Sequence, residues 1–289
     1  MKAPDFASTK YMPVKRVNGF TSSLLADLIS IEEPLEIRIV YSPHGERLQK
    51  NVSVTMRTPG NDCDLAIGFL FTEGIISSYL DVKAVSHAGM ECSSQKENIV
   101  HVELAEGVVP HLAQSDKNFY TTSSCGVCGK SSIQSIKVVS LFSYLKKLQL
   151  TLTTEVLYQL PGKLEAAQKG FAATGGIHAS GLFTIDGELI LAREDVGRHN
   201  ALDKLIGSAL ANNSLPLNRH ILLLSGRASF ELIQKAAMAG ISVVAAVGAP
   251  SSLAVELAME FDMTLIGFLK ENRFNIYNLS DHVLIHNVE

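Results

Sequence analysis

His220-Ile221-Leu222-Leu223-Leu224 followed by Ser225-Gly226-Arg227, and Ser242-Val243-Val244-Ala245-Ala246-Val247 followed by Gly248-Ala249-Pro250-Ser251-Ser252, carry the plainest architectural signal in the chain. Each is a short apolar run without polar alternation, bounded by glycine and serine, as a strand buried on both faces requires. After each, apolar residues recur at helical spacing: Leu232, Ala236 and Met238 in one case, Leu253, Leu257 and Ala258 in the other. Met263 to Phe268 repeats the apolar run. Strands alternating with helices predict an α/β protein whose mainly parallel or mixed sheet is covered on both faces. Immediately upstream, a helix is predicted from about Asn200 to Leu210, behind Glu194-Asp195-Val196-Gly197-Arg198-His199. Ile177 to Thr184 and Glu188 to Arg193 flank Ile185-Asp186-Gly187, an Asp-Gly hairpin signal.

Further toward the N-terminus the pattern changes to alternation. Residues 35–41 and 52–57 alternate apolar and polar side chains and are rich in β-branched residues, which predicts a hairpin around Pro43-His44-Gly45. After Thr58-Pro59-Gly60, Asn61 or Asp62 is placed to cap a helix through Leu65, Phe69 and Leu70 that Gly74 ends. Asn98 to Leu104 is another alternating strand, and the polar stretch Gln114 to Asn118 is the best boundary. Two parts are therefore expected, a smaller β-rich domain over residues 1–117 and an α/β domain over 118–289.

Composition narrows the function classes. With 289 residues, 46% of them hydrophobic, the chain can bury a substantial core. Its net charge is only -4, and no run of Lys and Arg is interleaved with aromatics, so a nucleic-acid partner is not expected. The apolar runs are too short to span a bilayer and residues 1–19 have no apolar signal core, so no membrane association and a cytoplasmic location are expected. Four cysteines in so long a chain do not make a disulfide scaffold; a close pair in a reducing compartment points to reactive or metal-bound thiols.

That pair is Cys125 and Cys128, in Ser124-Cys125-Gly126-Val127-Cys128-Gly129-Lys130. Ile133, Ile136, Val139 and Leu145 roughly fit a helical face, which puts the thiols in a loop entering a helix N-terminus, where the helix dipole favours thiolate. The spacing admits metal binding, disulfide chemistry or sulfur transfer. A structural zinc site needs two further ligands, and no second C-x-x-C or close His pair supplies them, so no metal site is expected. A thioredoxin-like motif belongs to an early βαβ unit, whereas this pair is mid-chain. A zinc deaminase would combine a His-x-Glu with P-C-x-x-C. Here His101-Val102-Glu103 lies in a period-2 strand pattern and Ser124 replaces the proline, so both residues read as polar strand positions.

The loops after the two central strands offer N–H groups, hydroxyls and Arg227 to an anion, although their serines serve equally as helix caps. His199, at a predicted helix start, and His178, within Thr174-Gly175-Gly176-Ile177-His178, are each either a site residue or a local hydrogen-bonding group. Phe268-Leu269-Lys270-Glu271-Asn272-Arg273 leaves a strand with two cations and an aromatic ring, which suits an anionic, planar ligand.

Arg57-Thr58-Pro59-Gly60-Asn61-Asp62, Gly68-Phe69-Leu70-Phe71-Thr72-Glu73-Gly74, the cysteine loop, Thr174-Gly175-Gly176-Ile177-His178, Glu194 to Ala201 and Ser225-Gly226-Arg227 together resemble the FdhD family, the formate dehydrogenase accessory sulfurtransferases. The resemblance runs from about residue 14 to 280. It implies a cytoplasmic, homodimeric protein that takes sulfur from a cysteine desulfurase as a cysteine persulfide. The sulfur then passes to the molybdenum (or tungsten) bis(molybdopterin guanine dinucleotide) cofactor of formate dehydrogenase. By motif position Cys125 is the persulfide carrier and Cys128 an assistant, while Phe268 through Arg273 bind the cofactor. It also implies a cytidine deaminase-like catalytic domain. A chaperone that binds the cofactor without sulfur chemistry, or a zinc-dependent deaminase, are the alternatives.

Overall fold

In the computed structural model, which describes residues 8–43, 45–88, 98–112, 142 and 148–286, the apolar runs that opened the reading lie side by side in a six-stranded sheet. The N-terminal half contributes strands β1 (Thr9–Asn18), β2 (Thr21–Ser30), β3 (Glu33–Tyr41), β4 (Leu48–Arg57), β5 (Val82–His87) and β6 (Ile99–Leu104), with helix α1 (Asp62–Thr72) between β4 and β5. Then follow β7 (Leu150–Thr153), helices α2 (Thr154–Ala167) and α3 (Lys169–Thr174), the hairpin β8 (His178–Thr184) and β9 (Leu189–Asp195), and α4 (Arg198–Ala211). The βα units are β10 (His220–Leu224) with α5 (Phe230–Met238) and β11 (Val243–Ala246) with α6 (Ser252–Glu260). Strands β12 (Thr264–Lys270), β13 (Arg273–Asn278) and β14 (Val283–His286) complete the chain.

The six-stranded sheet has the order β13-β12-β11-β10-β8-β9. Its three central strands β10, β11 and β12 are parallel, while β8, β9 and β13 pair antiparallel to their neighbours, so the sheet is mixed as expected. Alternate residues of the apolar runs feed two cores. Ile221, Leu223, Val243, Ala245 and Ile266 meet Leu157, Leu160 and Leu164 of α2. Leu222, Leu224, Val244, Ala246 and Leu265 meet α4, α5 and α6 on the other face. Burial on both sides is why these strands lack polar alternation.

The expected N-terminal hairpin is β3 with β4, and the four-stranded sheet β4-β3-β6-β5 adds β6 parallel to β3. The predicted helix is α1, which Gly74 follows at φ 71°. Asn61 stands at its N-cap position, but in a left-handed conformation and without a side-chain capping bond. One buried cluster runs from Leu35, Ile37 and Val102 through Leu65 and Leu70 to Leu205, Leu232 and Leu257, so the four-stranded sheet and the helices of the later half share a core. The boundary expected at 117/118 lies outside the described residues.

Two glycines explain how closely those parts approach. α1 packs on α4 where Gly68 faces the Asp203 carbonyl and Gly207 faces the Asp64 carbonyl, and a methyl group at either glycine would overlap that backbone. Beside the crossing, Lys235 of α5 donates to Thr72 Oγ1 at 2.9 Å and Asp203 Oδ2 at 3.0 Å, tying three helices through buried polar groups. Two features were not read from sequence. β1 and β2 form a separate hairpin that touches α3, and α2 continues through Pro161 because its Leu157, Leu160 and Leu164 stripe is buried.

A candidate functional site at the strand ends

The C-terminal ends of β10, β11 and β12 reach one edge of the six-stranded sheet, where ligands of open α/β sheets bind. Antiparallel pairing brings the start of β8 and the end of β9 to the same edge, with His178 opposite Asp195 and Ser180 opposite Leu224.

The loops leaving β10 and β11 are bonded to each other. Val247 N donates to Leu224 O at 3.0 Å, Gly248 N to Gly226 O at 2.9 Å, Ala228 N to Ala249 O at 3.2 Å and Ser251 N to Ala228 O at 3.0 Å. Gly248 favours this approach, since a methyl there would stand 3.0 Å from both Gly226 O and Arg227 Cγ and push the loops apart. Two of the serines are engaged structurally: Ser225 Oγ accepts from Ala179 N at 2.8 Å, and Ser251 Oγ caps α6 by accepting from Ala254 N at 3.2 Å. Of the candidate anion ligands in these loops, Arg227, Ser251 and Ser252 are exposed, and Arg227 is the cation among them.

The segment from Phe268 to Arg273 adjoins this rim, but it does not leave the strand as expected. β12 continues to Lys270, Glu271 and Asn272 make the turn, and Arg273 begins β13 opposite Lys270, because a bulge between Gly267 and Lys270 lets the ladder resume. Phe268 sits in the bulge at φ 53°, its N–H donating to Gly248 O at 3.1 Å and its ring 38% exposed. A bulky residue in left-handed conformation is uncommon and is held by surrounding structure. Lys270, Glu271, Asn272 and Arg273 are exposed, whereas Leu269 is buried in the core under α2.

Behind the rim lies a polar lock made from two of the sequence motifs. Asp195 is fully buried; its Oδ2 meets Lys204 Nζ at 2.7 Å and accepts from Thr58 N at 3.1 Å, while its Oδ1 accepts from Gly197 N at 2.8 Å and Asn200 Nδ2 at 3.0 Å. Arg57 closes the Pro59-Gly60 turn with a paired contact to Asp62, at 3.0 and 2.9 Å. Burial pushes the Asp195 carboxyl up, and Lys204 pulls it down. Removing the cation leaves a buried charge without its counter-ion, so Lys204→Met is expected to destabilise the fold by about 3–5 kcal/mol. Urea unfolding measures this, and adding Asp195→Asn to the same chain should recover part of the loss.

His178 stands at the edge against Gly226, where a methyl would come within 3.3 Å of Nδ1. Burial holds its pKa below the ordinary 6.5, with the Arg198 and His199 charges acting in the same direction. Burial likewise lowers His101 and His220. A histidine depressed in the folded state contributes stability that is present above about pH 6.5 and lost as pH falls through the folded value. The melting temperature is therefore expected to drop between about pH 7 and pH 5, and His178→Asn to flatten part of that slope. An unchanged melting temperature across the range would contradict the assignment.

His199 bridges two helix starts, its Nε2 lying 2.9 Å from Glu231 Oε2 and 3.3 Å from Ser229 Oγ. His101 and Glu103 project from β6 in the other sheet, and Glu103 is bonded to Lys83 at 2.7 Å, as strand polar positions would be. Cys125, Cys128 and the helix predicted after them lie outside the described residues. Among the described residues no group of three His, Cys, Asp or Glu side chains is arranged to hold a metal, and no helix is long and apolar enough to cross a membrane. The sequence reading quoted Asp195 in its motif but did not foresee its buried pairing with Lys204, which only the packing of α4 brings about.

The sequence pattern of the FdhD/NarQ family matches residues 31–284. The chain is 47% identical over 280 residues to the sulfur carrier protein FdhD of Streptomyces coelicolor, covering 96% of each. It is 39% identical over 278 residues to the protein of the same name from Sulfurisphaera tokodaii, covering 94% of this chain and all of that one. A crystal structure from Desulfotalea psychrophila, described as a candidate formate dehydrogenase accessory protein, superposes with a TM-score of 0.69 at 19% identity, covering 96% of this chain and all of the other; it shares the mixed α/β fold.

Proposed function

Because this chain belongs to the FdhD/NarQ family, we propose that it is a sulfur carrier serving the maturation of formate dehydrogenase, with Cys125 as the carrying thiol. The observation that carries this reading is the near full-length similarity to sulfur carrier proteins of two distant organisms. In the proposed reaction the Cys125 thiolate attacks the outer sulfur of a cysteine desulfurase persulfide. The donor's S–S bond breaks, its thiolate leaves, and a persulfide remains on Cys125. Cys128 assists by meeting that persulfide as a neighbouring thiol. Glycines on either side of the pair, Gly126 and Gly129, permit the loop conformations such an exchange requires.

The acceptor in this proposal is the molybdenum bis(molybdopterin guanine dinucleotide) cofactor, a substrate rather than a resident group. Its planar rings and phosphates suit the exposed Phe268 ring and the Lys270 and Arg273 cations of the β12–β13 turn, with Glu271 and Asn272 exposed beside them. Leu269, facing the core, anchors that turn rather than touching the ligand. A cytidine deaminase-like catalytic domain, a cytoplasmic location and a homodimer complete the reading. The test is mass spectrometry of the intact chain after incubation with a cysteine desulfurase and cysteine. A one-sulfur adduct mapped to Cys125 is expected, and an adduct confined to Cys128 or absent from both would refute the assignment.

A further inference from the structure

The hairpin β1–β2 stands out from the rest of the molecule as an arm. Its cross-strand pairs run from Thr9 and Ser30 to Asn18 and Thr21 without a register shift. Its one extensive contact among the described residues is at the base, where β2 meets α3 and Ser30 Oγ lies 2.8 Å from Thr174 Oγ1. At about 3.4 Å per residue the arm reaches roughly 30 Å from that base. A two-stranded hairpin alone is marginal in water, so an unbroken ribbon of this length calls for something to cover it.

The side chains agree. Of the eighteen large apolar side chains exposed among the described residues, six belong to the arm: Tyr11, Met12, Val17, Phe20, Leu24 and Ile29. Phe20, in the turn after Gly19, is fully exposed, and Leu24 is 84% exposed. Cross-strand pairing puts Tyr11, Val17 and Leu24 on one face of the ribbon, together with Lys15. Scattered exposed apolar residues are ordinary, whereas a contiguous stripe marks a contact site. One fully exposed aromatic offers a partner roughly 150–250 Å². With the other five, the arm reaches the order of the roughly 800 Å² per partner that a specific interface buries.

Charge indicates what covers it. Lys10, Lys15 and Arg16 against Asp27 give the arm a net charge of +2, so the remainder of a chain whose total is -4 carries -6. An acidic body suited to a basic, apolar arm is thus present on every other copy of the same chain. A lipid surface fits less well, because Ser22, Ser23 and Asp27 would have to leave water with the apolar side chains.

We propose that the β1–β2 arm is a dimerisation clasp: the arm of each copy lies on the body of the other about a two-fold axis, with Phe20 and Leu24 as anchors and Lys15 as a steering charge. Such a reciprocal contact is closed and needs only one kind of interface. The inference takes from the homodimer of the proposed reading its stoichiometry alone, and assigns the surface that makes it.

Sedimentation velocity of the full chain across a concentration series tests it. Two copies per particle are expected at micromolar concentration, and Phe20→Ser combined with Leu24→Ser should weaken association about a hundredfold or more. Both side chains are exposed, so the far-ultraviolet circular dichroism of this variant should match that of the unaltered chain. Lys15→Glu leaves the apolar stripe intact and should weaken association about tenfold, with the effect shrinking at high salt. It serves as the second variant if the first does not fold. A monomeric unaltered chain, or folded variants that associate as tightly as it does, would overturn the proposal. So would a monomeric chain that floats with phosphatidylserine-containing vesicles through Phe20, which would give the arm to a membrane. Sulfur loading of Cys125, followed separately by mass spectrometry, distinguishes the two readings. Absent loading in a dimeric unaltered chain strikes the sulfur-carrier reading and leaves the clasp standing, while intact loading in a monomeric one does the reverse.

Discussion

Cys125→Ala is expected to reduce activation of formate dehydrogenase to the level seen without the chain, and to abolish the desulfurase-dependent sulfur adduct. Alanine has no atom that can attack a persulfide, so the loss is complete rather than graded. Cys128→Ala should retain loading and lose only part of the activation, because a neighbouring thiol assists the exchange without carrying the sulfur. Cys63 is a poor substitute. It lies in α1, half-buried, and burial together with Asp62 and Asp64 pushes its thiol pKa up, which reduces the thiolate fraction that attacks. Activation assays of the two single variants and the double variant decide the matter. Full activation by Cys125→Ala would end the assignment of that thiol as the carrier.

Gly68→Ala should be among the most damaging single methyls in the described part of the molecule. The added carbon would overlap the Asp203 carbonyl, and the obstacle is backbone in α4 rather than the end of a flexible side chain. The two helices must separate, opening the core that Leu65, Leu70, Leu202 and Leu205 share and disturbing the Asp203–Lys235 contact at 3.0 Å. Overpacking commonly costs about 1–3 kcal/mol, and a clash with backbone on both sides of the crossing puts this case at about 3 kcal/mol or above. Gly207→Ala should behave the same way against the Asp64 carbonyl. Gly162 of α2 has open space around it, so Gly162→Ala should be neutral or stabilising by about 0.5–1 kcal/mol. Equal urea midpoints for Gly68→Ala and the unaltered chain would show that the helices are less tightly apposed than described.

The central layers were legible because their physics is local. Runs such as Ile221 to Leu224 have only one comfortable environment, between two apolar layers, and the Asp186-Gly187 signal fixes the β8–β9 hairpin at its turn. The β1–β2 hairpin was missed although Asn18-Gly19 is a strong turn signal, because Thr21-Ser22-Ser23-Leu24-Leu25 has no period-2 pattern. Helix α2 was missed because Pro161-Gly162 reads as a break, while burial of three leucines decides otherwise. The Arg57–Asp62 motif and the Gly68–Gly74 motif were visible as residue strings, but their purpose is tertiary. Nothing local in Gly68 announces Asp203. The strand-end loops showed their serines as ambiguous, and contacts with β8 and α6 settle Ser225 and Ser251 as structural.

The interlacing of the β10 and β11 loops has a kinetic consequence. Four backbone bonds hold the rim together before any ligand arrives, so little loop freedom remains to be lost on binding. Encounter should then proceed without a slow ordering step, and ligands that differ in how well they fit this edge should differ chiefly in how long they stay. On the proposed reading, an acceptor docking on this preset edge can take its cargo and leave without the carrier reshaping itself between one delivery and the next.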